Sequence, residues 1–490
     1  MSGFRQYQFS LFRRFWIFCF LIMAAGCTTA GPDYESPGLV PQGPWHSPMI
    51  QGLALEQADP ERLARWWQIF GDPILSDLID QAILDNLDLR LALARVTQYR
   101  ALRKIEGADT RPTLDTSGSA AWTGTSNEKG KGTTDTAYTA GLAAGWEIDL
   151  FGRIRRSMEA ADADLAAQQE ALRDVLISLA ADLAQSYIEV RTSQARLAVV
   201  RESISSQTES RQLTLWRYQA GLTDELAVRQ ASYNLESAKS KIPGLENSLS
   251  AAMNKVAVLT GKRPGHLHTL LSEVVSLPEL SPTVAVGLPA DAIRRRPDIR
   301  EAENELMAQT ARVGVATADL YPKLSLAGSI GVEGISPGRL AGNIADPSHW
   351  LRKIMASVSW NLFDAGAIKK KILVQSSLQK QALIRYESAI LNAVEEVENC
   401  LVKYANEQTR YDILVRAVAE AEQAERLARK KYLSGLTDFT AVLESQRTQL
   451  SFRNDLSESR GTMVSNLILL YKALGGGWGP IETLNDRKLP

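Results

Sequence analysis

The sequence predicts a mainly helical fold that carries two pairs of β-strands and arose by internal duplication. Three observations lead there. The stretch from Trp146 to Val228 opens WEIDLFGRIRR and closes RYQAGLTDELAV; a second copy opens WNLFDAGAIKK at Trp360 and closes KYLSGLTDFTAV at Val442. Trp146 and Trp360, Gly221 and Gly435, and the two GLTD runs all stand 214 residues apart, so the fold must use one unit twice. Roughly seventy residues without proline separate each Trp from its GLTD, which permits one long helix in each copy. Around each Trp the apolar period shifts from helical spacing to strict alternation.

The 490 residues are 45% apolar and 23% charged, with a net charge of −1. That balance describes a folded protein and argues against a general nucleic-acid binder. Ala, Leu, Ser, Gln, Glu and Arg dominate after residue 153, which suits long helices packed through small side chains. Cys19, Cys27 and Cys400 form no disulfide framework. Cys400, alone in a helical stretch, reads as a small buried apolar residue.

Arg5, Arg13 and Arg14 precede the apolar run Phe15 to Met23, which is shorter than the about 20 residues that span a bilayer. Small residues follow at Ala24-Ala25-Gly26, and residues 1–26 read as a cleaved secretory signal. A cysteine directly after them resembles a bacterial lipobox, with Ala24 where Leu or Val is more usual. The resemblance implies that Cys27 becomes the first residue and carries a covalent lipid. Thr28, rather than Asp, implies retention at the outer membrane.

Residues 28–50 hold five prolines and little periodicity, as a tether over a surface would. Asp72-Pro73 then starts a helix, with Leu75, Leu78, Ile79, Ala82 and Ile83 at helical spacing. This region repeats at an offset of 210: Asp88-Leu89-Arg90 matches Asp298-Ile299-Arg300, and Pro112 matches Pro322. The change from 210 to 214 places a four-residue insertion at exposed tips within 123–137 and 333–349. Flanking those tips, Tyr138 to Leu150 and Lys323 to Glu333 alternate apolar with polar or small residues. Such strands fit a transmembrane barrel, and a half-buried soluble hairpin would alternate in the same way. Four strands cannot close a useful barrel, so a barrel would be shared among copies.

From Arg153 to Tyr218 and from Ile368 to Tyr432 apolar residues recur at three and four, the spacing of coiled-coil packing. About 66 residues of helix span about 100 Å, the scale of a periplasm. Gly221 and Gly435 suit left-handed helix ends, and Thr223 and Thr437, or Asp224 and Asp438, can cap the next helix. Each GLTD is then a tight turn pointing away from the strands. Pro243 should break the first return helix near Ile242, whereas Ser457 leaves the second straight.

WWQIFGDPILSDLIDQAILDNLDL, RRRPDIREAE, the two GLTD tips, YKALGGGW (Tyr471 to Trp478) and GPDYESP (Gly31 to Pro37) together resemble the outer-membrane factor family, TolC-like, in its OprM-like or NodT lipoprotein branch. The resemblance covers essentially the whole mature chain. It implies a homotrimer in which each chain gives four strands to a twelve-stranded outer-membrane β-barrel, continuous with a periplasmic α-helical coiled-coil barrel. The implied layout is a lipidated tether (27–65), first-repeat tunnel helices (66–112), a first hairpin (113–151), a long helix, tip and return (152–260), and an equatorial connection (261–298). The second repeat follows with a tunnel helix (299–322), a hairpin (323–364), and a long helix, tip and return (365–474), before a C-terminal tail (475–490). The duct would be passive and exit-only, passing drugs and toxic compounds from a proton-driven inner-membrane pump through a periplasmic adaptor. By similarity the adaptor meets Gly221, Leu222, Thr223, Gly435, Leu436 and Thr437. The periplasmic gate would lie at Thr440, Glu444 and Arg447, the last two one helical turn apart on one face. Relatives more often carry Asp at the Glu444 position.

No energy source accompanies this. Gly261-Lys262 lacks the other parts of a phosphate loop. His266 and His268 have no acidic or Cys partner in sequence, so no metal and no cofactor beyond the lipid are expected. Arg294-Arg295-Arg296 is expected to start the helix after Pro297 rather than to bind anions. Two competing functions keep the same pattern: a duct for polypeptide export, and a lipid-anchored scaffold that conducts nothing. Cys27→Ser is expected to abolish metabolic labelling with palmitate, while trimers persist on native gels because the strands anchor the chain separately.

Overall fold

The computed structural model describes residues 29–38, 43–50, 52–54, 59–125, 133–278, 284–287 and 289–478. Cys27, Thr28 and the signal segment lie outside the described residues. Helices α1 (Pro73–Asp85) and α2 (Leu87–Ala108) lead into strands β1 (Thr113–Thr125) and β2 (Thr133–Ile148). The 67-residue helix α3 (Arg153–Gln219) follows, then α4 (Glu225–Lys239) and α5 (Ile242–Leu259). The second pass brings α6 (Pro297–Ala318), β3 (Lys323–Gly334), α7 (Pro337–Ala345), β4 (Leu351–Ser359), the 67-residue α8 (Ala367–Leu433) and α9 (Phe439–Ala473). The two long helices start and stop at repeat-equivalent residues, so the duplication persists in three dimensions.

The chain forms two compact units. The first comprises Met1–Gly38, Arg95–Gln169 and Glu301–Tyr386; the second comprises Leu39–Ala94, Glu170–Arg300 and Glu387–Pro490.

In the first unit the strands form one antiparallel sheet in the order β1-β2-β3-β4. Thr113 pairs with Gly145, Ile148 with Leu324, and Lys323 with Ser359. Every residue of β1 and of β4 is exposed. Each hairpin is tied to its preceding helix by an indole: Trp146 Nε1 donates to the Thr110 carbonyl at 3.1 Å, and Trp360 Nε1 to the Leu320 carbonyl at 3.0 Å. Phe151 stacks on Tyr321 with ring centroids 4.7 Å apart, joining the bases of the two hairpins.

The sequence places the tip of the first hairpin within 123–137, of which 126–132 lie outside the described residues, and that of the second within 333–349. Ser336-Pro337 is a cap followed by proline at the first helical position, so the segment folds into α7. Asn343 Nδ2 donates to the Glu333 carbonyl at 2.6 Å and pins α7 to β3.

The tether is docked on the first unit from Thr29 onward. The Ala30 N–H donates to the Phe151 carbonyl at 2.9 Å, and the buried Arg156 donates to the Ala30 carbonyl at 3.2 Å and to Asp33 at 2.5 Å. Farther along, Tyr34 and Ser36 both donate to Glu303.

The second unit holds the aromatic and polar core. Asp72 caps α1 by accepting from the N–H groups of Ile74 and Leu75, and Leu75, Leu78, Ile79, Ala82 and Ile83 are buried. The other carboxylate oxygen of Asp72 accepts from the Tyr187 hydroxyl at 2.5 Å. That hydroxyl in turn accepts from the buried Arg191 at 3.0 Å, and burial followed by its bond to Asp72 raises the Tyr187 phenol above its usual range. Trp66 stacks on Tyr471 at 5.8 Å. Arg296, the last of the basic run, forks onto Asp298 at 3.0 and 2.8 Å, reaches Glu396 at 2.7 Å and donates to the Ala473 carbonyl at 2.7 Å. It is an internal cross-tie. Cys400 is buried, and its thiol is pushed up to about 11 by burial and by Glu396.

The return helices differ as their prolines dictate. The first breaks at Ser240 and Lys241, and Pro243 sits in the opening turn of α5, where a missing N–H is harmless. The second, with Ser457 at the equivalent position, runs unbroken for 35 residues. Gly461 of α9 lies against α3 so closely that a Cβ there would stand 2.0 Å from Thr192 Oγ1. Alanine normally outscores glycine in a helix by about 1 kcal/mol. Here Gly461→Ala is expected instead to destabilise the protein by about 1–3 kcal/mol through overpacking. Chemical denaturation should show Thr192→Ala returning part of that loss in the double variant.

Candidate functional site

Both tips close by one mechanism. Gly221 and Gly435 each have φ of 72°, a left-handed angle that side chains resist. The Leu222 N–H reaches back to the Arg217 carbonyl at 2.8 Å, and the Gly221 N–H to Tyr218 at 2.9 Å. The Leu436 N–H bonds Lys431 at 2.9 Å, and the Gly435 N–H bonds Tyr432 at 3.1 Å. These pairs satisfy the last free carbonyls of α3 and α8 in the Schellman arrangement. A Cβ on either glycine would meet nothing within 4 Å, so glycine is required by the backbone angle alone.

Of the two capping choices left by the sequence, aspartate takes the N-cap position in both copies. Asp224 accepts from the Ala227 N–H at 2.9 Å; Asp438 holds the equivalent place without a side-chain cap bond. Thr223 and Thr437 are half-buried. Leu222 is 66% exposed and Leu436 76% exposed, so each turn presents an apolar side chain outward.

The two tips pack as one body. Ala227 and Ala231 of α4 share a core with Tyr432 of α8 and with Phe439, Val442 and Leu443 of α9. The Tyr432 and Phe439 rings lie 5.1 Å apart, and the Arg217 guanidinium covers Tyr432 at 4.7 Å.

Thr440, Glu444 and Arg447 all lie on α9, where Thr440 and Glu444 are exposed. Among the described residues no ion pair joins Glu444 to Arg447. Arg447 turns to α4 instead, donating from Nε to Asn234 Oδ1 at 2.8 Å and covering the Tyr233 ring at 5.1 Å. A surface pair one turn apart is worth only a few tenths of a kcal/mol, and an amide acceptor with a ring face outcompetes it. Sequence reasoning missed Tyr233 and Asn234. The repeat carried a signal, because Tyr233 is the 214-residue equivalent of Arg447. Farther along α9, Arg453 pairs with Glu202 at 2.7 Å and holds that carboxyl below its usual range.

An exposed β-sheet with two open edges, joined in one chain to paired 67-residue helices with matched turns, defines an outer-membrane channel subunit. The chain belongs to the outer membrane efflux protein family, whose sequence profile matches residues 78–262 and 288–476. It is 30% identical to Nodulation protein T of Rhizobium leguminosarum bv. trifolii over 94% of this chain and 97% of that protein. It is 32% identical to the solvent efflux pump outer membrane protein SrpC of Pseudomonas putida, over 94% of this chain and 97% of that one. Identity to the cation efflux system protein CusC of Escherichia coli K12 is 30%, over 94% and 98%. Among solved structures, the outer-membrane channel OprN superimposes with a TM-score of 0.86 at 32% identity, covering 92% of this chain and 99% of that one. The chain is thus an outer-membrane efflux channel extending into the periplasm, and its family is one of channels rather than enzymes.

Gly221→Ala and Gly435→Ala are each expected to cost about 1–2 kcal/mol, since a side chain adds backbone strain there and no new contact. Hydrogen exchange at the turn amides should report the loosening, and asparagine at either position should cost less.

Proposed function

We propose that three copies of this chain form a passive exit duct for small toxic compounds. In this reading β1 of each copy pairs with β4 of the next to close a twelve-stranded barrel. The observation that carries it is the sheet itself: both outer strands are exposed along their whole length, and a bilayer leaves no other way to satisfy their backbone groups. The relatives' names, for solvent and cation efflux, support small solutes as cargo.

The tip residues Gly221, Leu222, Thr223, Gly435, Leu436 and Thr437 are read as the surface for a periplasmic adaptor; the outward leucines support this. A proton-driven inner-membrane pump supplies the energy, and the lipid on Cys27 gives a second anchor in the outer membrane. Thr440, Glu444 and Arg447 serve as the periplasmic gate. Three copies would set a ring of Glu444 carboxylates, which favours cations in conduction. Arg447, held on α4 by Asn234 and Tyr233, ties the two return helices of one chain together beside Glu444.

Planar-bilayer recording tests the reading. Discrete conductance steps are expected, small in the resting state, and Glu444→Ala should raise the closed-state leak several-fold. A protein that inserts without ever conducting would sink the duct; a Glu444→Ala leak equal to wild type would move the gate elsewhere.

A further inference from the structure

Among the buried oxygen atoms of the second unit to which no protein group donates, three belong to residues that line one cavity. Gln207 of α3, Glu425 of α8 and Gln446 of α9 are 3%, 8% and 4% exposed. Each has a buried Oε1 without a hydrogen-bond partner, and all three residues line one cavity of about 90 Å³. The far ends of the two amides are committed elsewhere. Gln207 Nε2 donates to Ser203 Oγ at 3.0 Å, and Gln446 Nε2 to Ser210 Oγ at 2.8 Å. Glu425 makes no ion pair among the described residues. Arg453 also lines the cavity, but its guanidinium is engaged by Glu202 at 2.7 Å and Glu422 at 3.8 Å.

The duplication isolates what is unusual here. Glu425 and Gln446 are the 214-residue equivalents of Arg211 and Ser232, and in the first repeat Arg211 Nε donates to Ser232 Oγ at 3.1 Å. One repeat therefore sets a cationic donor against an acceptor. The other sets a carboxylate against an amide carbonyl at the same places. Buried acceptors left unsatisfied are costly, and a carboxylate more so than a carbonyl. Three such residues on one cavity call for an occupant that can take up oxygen lone pairs.

We propose that this cavity binds an alkali-metal cation, Na⁺ or K⁺, through the Gln207 and Gln446 side-chain carbonyls and the Glu425 carboxylate. Neutral carbonyl oxygens replacing a hydration shell suit alkali ions. A single uncommitted carboxylate balances one positive charge, whereas tight calcium sites collect more carboxylates. The volume leaves room for ordered water beside the ion. The bound cation bridges α3 of the first repeat to α8 and α9 of the second. The site does not depend on the duct reading, and its test uses no conductance.

Thermal unfolding of the full-length protein in detergent decides the matter, compared in choline chloride, NaCl, KCl and CaCl2 at equal ionic strength. Na⁺ or K⁺ should raise the Tm above the choline value, saturably with concentration. Glu425→Gln should weaken the apparent affinity about tenfold or more, and should raise the Tm in choline because a buried charge is gone. Gln446→Leu should abolish the response, while Glu420→Gln, on the exposed side of α8, should retain it. Equal Tm values in choline, Na⁺ and K⁺ mean that water alone serves the oxygens, and overturn the proposal. A response that survives Glu425→Gln unchanged, or stabilisation by Ca²⁺ alone, overturns it too. If Gln446→Leu does not fold, the salt series with Glu425→Gln still decides.

Discussion

Backbone hydrogen bonding at the sheet edges is the constraint on which the rest of the molecule depends. β1 and β4 are the outer strands, and their outward N–H and C=O groups face no strand of the same chain. In hydrocarbon each unsatisfied group costs several kcal/mol, so in a membrane both edges of a four-stranded sheet would need partner strands. Features of the first unit serve that requirement. Trp146 and Trp360 fix each hairpin to its helix, Phe151 and Tyr321 fix the hairpins to each other, and Arg156 holds the tether against the same base. A sheet with a rigid base presents its two edges in a reproducible register.

The second unit solves a different problem, which is how to keep very long helices in one axial register. Apolar stripes with many alanines allow sliding, because successive small residues offer similar contacts. Polar ties remove that freedom. On α3, Tyr187 meets Asp72, Arg191 donates to the Glu273 carbonyl at 2.5 Å, and Gln194 donates to the Leu271 carbonyl at 2.7 Å. One bond joins α3 to the start of α1 and two join it to the segment 271–273, so a shift by one turn would break all of them and leave buried polar groups unpaired. Arg296 performs the equivalent service between the start of α6, the middle of α8 and the end of α9.

Duplication supplied two copies, and their later divergence gave each a separate task. The glycine turns stayed alike because a left-handed angle admits few residues. The return helices diverged at Pro243, and facing positions diverged in charge: Arg447 opposite Tyr233, and Glu425 with Gln446 where the first repeat has Arg211 with Ser232. A chain with two identical halves could not set Arg447 of one repeat over Tyr233 of the other, nor place acceptors on one repeat where the other has Arg211 and Ser232.

The sequence by itself determined whatever depends on local backbone rules. Helix spacing marked both long helices to within about one residue at each end, the Asp72-Pro73 start and the two glycine stops lie where capping chemistry requires, and Pro243 marked the break. These follow from torsion preferences and period, which a short window contains. Only the tertiary structure decided what lies between helices. Arg447 chose Asn234 over Glu444, Gly461 proved to be a contact with Thr192, and Gln207, Glu425 and Gln446 came to share a cavity. Those outcomes depend on the rotation and axial offset of helices whose contacting residues lie more than 200 positions apart, and no local period encodes either quantity. The second hairpin tip falls between the two cases. Its Ser336-Pro337 cap was written in the sequence, but a nine-residue helix is too short to form unaided, and its docking on β3 through Asn343 gave it its place.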